Sequence, residues 1–133
     1  MSINYTSVIG VGVPEEDITY QTLTDYSKKI VQNAYIGSLY SEDFYTCDGK
    51  RISNEDLLSD GEVLNKWFLG NAHDYDYDIW HVLGLERVTG NYFTGEKGYR
   101  GVDVDLNNIQ EAKDRFKKVV SLEPEVFNDV LVW

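Results

Sequence analysis

Residues Ile3 to Val13 (INYTSVIGVGV) make an apolar, β-branched run that stops at Pro14, and this run predicts a well-buried first strand. After the acidic triplet Glu15, Glu16 and Asp17 the apolar period changes. Leu23, Tyr26, Ile30, Val31, Ala34 and Tyr35 recur at helical spacing and predict an amphipathic helix from Thr19 to about Leu39. Thr22 or Thr24 supplies its N-cap, and Gly37 stands where it would stop. Asp48-Gly49 predicts a two-residue hairpin turn within Asp43 to Ile52, because both positions tolerate positive φ. Ser53 then caps a second helix, with Asp56 as a capping-box variant. The apolar face of that helix is Leu57, Leu58, Val63, Leu64, Trp67 and Phe68; Gly61 is a weak point that splits it, and Gly70 ends it.

The segment Asp74 to Asp105 is expected to form an antiparallel meander. Tyr75, Tyr77, Ile79, His81 and Leu83 alternate with Asp74, Asp76, Asp78, Trp80 and Val82, the period of a strand. Gly90-Asn91 and the stretch Thr94 to Gly98 are turn signals. From Tyr99 to Leu106 the alternation returns, with Arg100, Val102, Val104 and Leu106 opposite Gly101, Asp103 and Asp105. A third helix runs from Asn107 or Asn108 to Val120, with Ile109, Ala112, Phe116, Val119 and Val120 inward. Leu122 to Trp133 fits either a short helix begun by Pro124 or a closing strand at Val130 to Trp133. This order predicts an α+β domain spanning residues 1–133, a mostly antiparallel sheet of about 4–6 strands with about three helices packed on one face.

Composition then narrows the function classes. Hydrophobic residues make up 42% of the chain, enough for a packed core and against disorder. Met1 to Pro14 is the longest uncharged stretch, too short to cross a bilayer and without the basic start of a signal peptide. The lone Cys47 excludes an intrachain disulfide. A cytoplasmic protein is therefore expected. Twenty-three acidic residues against twelve basic ones give a net charge of −11. The excess is spread: residues 1–70 hold 11 acids and 5 bases, and residues 71–133 hold 12 and 7. Such a charge repels nucleic acid and anionic membranes and attracts basic surfaces.

Candidate chemistry centres on His73 to His81 (HDYDYDIWH). Asp74, Asp76 and Asp78 imitate the first half of a calcium loop, but Ile79 replaces the required glycine and Leu85 the closing glutamate. Zinc would need more soft ligands than His73 and His81 supply. No metal and no cofactor are expected. On a strand, side chains two apart are separated by roughly 6.6 Å, near the spacing of phosphates along a nucleic-acid strand. Asp74, Asp76 and Asp78 would form one such row, Asp103 and Asp105 another, and Glu15, Glu16 and Asp17 a third patch, with Trp80 as an aromatic anchor. Gly10-Val11-Gly12 lacks the third glycine of a phosphate loop and is followed by acids. Cys47 with either histidine is a candidate nucleophile and base, with nothing to fix their distance.

In size and charge the chain resembles small acidic inhibitors, such as phage-encoded anti-restriction and anti-CRISPR proteins and toxin-immunity proteins. The expectation is a non-enzymatic inhibitor that occupies a basic, nucleic-acid-binding surface of a host or toxin enzyme in the manner of a nucleic-acid mimic, without binding nucleic acid itself. The alternatives are a small metal-dependent hydrolase centred on His73, Asp76, Asp78 and His81, and a structural or assembly subunit.

Overall fold

The computed structural model describes residues 5–38, 47–50, 53–74, 76–90, 98–104 and 106–132. The apolar run at the start forms β1 (Tyr5–Pro14), one of the two inner strands of the sheet. A 3-10 turn at Glu15–Asp17 and another at Tyr20–Thr22 lead into α1 (Asp25–Ser38). Thr24 is the cap: its Oγ1 accepts the Ser27 N–H at 3.3 Å. Ser53 likewise caps α2 (Asn54–Ser59), its Oγ accepting the Asp56 N–H at 3.2 Å. The helix breaks before Gly61, as expected, and Asp60 caps the next piece, its Oδ1 accepting the N–H groups of Glu62 and Val63. That piece, α3 (Gly61–Asp74), runs through Gly70 rather than ending there. In the Cys47–Gly49 turn Gly49 is at φ 86° but Asp48 is not at positive φ, so the expected pair of positive-φ positions is met at the glycine alone; the expected flanking extended runs fall outside the described residues.

The largest correction concerns Asp76 to Leu83, within the expected strand Tyr75 to Leu83. It is not a strand: α3 is followed by α4 (Asp76–Leu83). Leu64, Phe68 and Ala72 recur every fourth residue, and Ile79, Trp80 and Leu83 continue a helical face; all six are buried together. Gly84, at φ 73°, ends α4. The Leu85 N–H reaches the Trp80 carbonyl and the Gly84 N–H the His81 carbonyl, the paired bonds of a Schellman stop. The chain continues through β2 (Glu86–Arg87) and β3 (Tyr99–Asp103), then enters α5 (Ile109–Val119) after a 3-10 turn at Leu106–Asn108. The ambiguous C-terminal segment is a strand, β4 (Glu125–Val132).

The fold is α+β, with four antiparallel strands in the order β2-β3-β1-β4 and five α-helices among the described residues. Register assigns the faces. Val11 pairs with Val102 and Val126, and Val13 with Arg100, so these share the side that meets the helices. The core lies there, between Val11, Val13 and Val102 and the buried faces of α1, α3, α4 and α5. Gly10 and Gly12, Tyr99, Gly101 and Asp103, Glu125 and Phe127 leave the other side. At the Gly12–Gly101 pair the strands approach so closely that a Cβ on either residue would fall on a backbone carbonyl of the opposite strand. The Gly-Val-Gly sequence is therefore a strand contact, with no phosphate loop.

Candidate functional site

The expected acidic rows are largely dismantled by the fold. Asp74 closes α3, and Asp76 and Asp78 lie in α4. A helix does not bring positions two apart onto one face, so the phosphate-like spacing has no backbone to support it. Asp105 lies outside the described residues. Trp80 is no exposed anchor: it is 2% exposed, packed edge-to-face on Phe68 with ring centroids 5.5 Å apart. His81 is exposed on α4 and Cys47 is exposed in its turn; the His73 side chain is outside the described set. Among the described residues no three His, Cys, Asp or Glu side chains gather as a metal would require.

The third patch divides. Glu16 and Asp17 are not drawn in with their neighbour, for Glu15 alone of the three is tied to a buried cation. Its Oε1 accepts the Arg100 Nε–H at 2.7 Å, and the Arg100 guanidinium carbon lies 4.8 Å from the centre of the Trp80 ring. Arg100 stands in register with Arg87 on β2, so two cations emerge side by side on the helix side of the sheet. Glu15 is held there by backbone as well, its N–H donating to the Gly98 carbonyl at 3.0 Å. The sequence carried a signal for this pair. Arg100 falls on the apolar side of its strand, beside Val102, and a charge so placed needs a buried partner.

What the sheet does assemble is an acidic outer face. Glu86, Gly101, Gly12 and Glu125 pair across all four strands in one row, with up to about 14 Å between the two glutamates at ordinary strand spacing. The next row is Asp103, Gly10 and Phe127. The Phe127 ring lies over Gly10, where a Cβ would come 2.7 Å from its Cζ. Tyr99 packs against Phe127 with centroids 4.8 Å apart, and its hydroxyl donates to Glu125 Oε2 at 3.1 Å. Glu86, Asp103 and Glu125 are exposed, and none has a cation partner among the described residues. Both arginines of the described strands, Arg87 on β2 and Arg100 on β3, belong by register to the helix side. Asp103, foreseen from the sequence, is thus joined by Glu86 and Glu125, which strand parity identifies only once the pairing is known.

The carboxylates act on Tyr99. Its hydrogen bond to Glu125, the charge of Glu125 and a smaller effect of Asp17 all disfavour the phenolate and raise its pKa above 10.0. The neutral phenol is thus favoured in the folded state. Its contribution to stability is complete below the ordinary phenol value and is lost as pH rises through the raised one. In an NMR titration of the tyrosine ring carbons, Glu125→Gln is expected to shift the Tyr99 midpoint down toward the ordinary value. An unchanged midpoint would show that the hydrogen bond does not form in solution.

Beside Asp103 the surface opens into a cleft of about 210 Å³ lined by Asp103, Val104, Asn108, Glu111, Ala112 and Arg115. No helix among the described residues is long and apolar enough to cross a membrane. No protein-family model, curated protein or solved structure matches the chain.

Proposed function

We propose that this chain is a non-enzymatic binding protein of the cytoplasm that docks its outer sheet face on a basic surface of a nucleic-acid-binding enzyme and so inhibits it. The observation that carries this reading is the row from Glu86 to Glu125 with Asp103 beside it. These carboxylates have no cation partner among the described residues, and they stand on a four-stranded sheet around the aromatic pair Tyr99 and Phe127. A sheet holds charges at fixed separations, so little side-chain ordering is spent when a cationic surface arrives. The net charge of −11 steers the encounter, and tyrosine and phenylalanine supply contact area that carboxylates lack. Glu16 and Asp17 extend the field at the sheet's end.

The test is capture of a partner from lysate of the source cell at low salt, followed by release. A basic protein retained at low salt, freed by high salt and displaced by duplex DNA is the expected result. The triple variant Glu86→Lys, Asp103→Lys, Glu125→Lys is expected to weaken capture by about tenfold or more, since each exposed charge contact adds a modest amount. A control triple at Glu55, Asp56 and Glu62, on α2 and the first turn of α3, makes the same charge change elsewhere. Equal loss in both triples would mean that bulk charge and not this face is recognised.

A further inference from the structure

We infer that β4 receives an extended basic segment of the partner as a fifth strand of the sheet, an inference that rests on the docking role proposed above. β4 is the outer strand. All of its residues pair with β1 in unbroken register, from Glu125 with Gly12 to Val132 with Tyr5. Among the described residues no strand is paired with its other side. Among the described residues the helix layer also stops short of it. Val126 is in register with Val11 and Val102 on the helix side, yet it is 45% exposed while Val11 is fully buried.

Edge strands in soluble proteins are commonly blocked by proline, lysine, a bulge or a covering element. β4 (EVFNDVLV) has no proline, no lysine and no bulge, and its charged residues are Glu125 and Asp129. Acids along this edge repel a second copy of a chain with charge −11 and favour a strand rich in lysine or arginine. Main-chain hydrogen bonds would supply affinity, and alternate side chains specificity. The two sides of β4 differ in the manner this requires. Glu125 lies on the outer face, which suits a basic residue in the incoming strand, and Val126 lies on the helix side, which suits an apolar one. The segment recognised therefore alternates basic and apolar residues.

A capped Lys-Val-Lys-Val-Lys-Val-Lys peptide is the probe, compared with its glutamate counterpart and with a backbone N-methylated peptide of the same charge. The lysine peptide is expected to slow hydrogen exchange at alternate amides of residues 125–132 by about tenfold or more, read by NMR on the full chain. The other two peptides are expected to leave those amides unchanged. Equal binding by the N-methylated peptide would overturn strand addition while leaving the acidic docking face intact. Protection confined to residues outside β4 would overturn it as well, as would light scattering that shows the chain already paired with itself through this edge. Failure of both cationic peptides to bind would remove the docking role together with the inference.

Discussion

Glu15→Ala is expected to lower the unfolding free energy by about 3 kcal/mol, the order of the cost of breaking a buried ion pair by removing one member. The Arg100 side chain is 4% exposed and that of Glu15 7%, so water cannot replace the lost carboxylate without opening the sheet end. The attraction of Arg100 to the Trp80 ring is too small to compensate, at roughly 2 kcal/mol even when desolvated. The double replacement Glu15→Leu with Arg100→Met is expected to recover most of the stability, since apolar residues of similar volume carry no desolvation cost. Urea titration of the two variants makes the comparison. A loss under about 1 kcal/mol for Glu15→Ala would place the guanidinium in contact with solvent.

Gly12→Ala is the second large effect. The added methyl would fall on the Arg100 carbonyl and the Gly101 Cα, both backbone atoms of the neighbouring strand. No flexible side chain can yield, so the strands must part along the ladder that also holds Tyr99 and Arg100. Overpacking of this kind costs about 3 kcal/mol or more, and thermal melting is expected to fall by roughly 10 °C for a domain of this size. Gly70→Ala is the internal contrast. Gly70 lies within α3 with open space where the Cβ would go, and alanine there is expected to raise stability by about 1 kcal/mol through helix propensity. If the two alanine variants melt alike, the close approach of β1 and β3 is not present in solution.

The elements with one unambiguous period were legible in the chain. β1, α1, the break at Gly61 and α5 follow directly from apolar spacing and from cap residues such as Thr24 and Ser53. Tyr75 to Leu83 misled because tyrosine and aspartate happen to alternate there. Counting by two hid the helical spacing that links Ile79 and Leu83 to Phe68 and Ala72 in one buried cluster. Leu83-Gly84-Leu85 was the local clue, a glycine helix stop between two apolar residues. The candidate site was less legible for a different reason. Which acids share a surface depends on pairing between strands far apart in the chain, and Glu86 meets the row of Glu125 only through Gly101 and Gly12. Glu15 shows the reverse case. Three consecutive acids look alike in sequence, and only the position of Arg100 across the ladder draws the first of them inside.

The register between β1 and β4 has a consequence for how the molecule comes to be made. Tyr5 waits for Val132, and every rung of that ladder joins residues separated by most of the chain. Such distant contacts form slowly. As the polypeptide leaves the ribosome, the first strand has one flank open until the last has been synthesised, and it is during that interval that a chaperone has the most to protect.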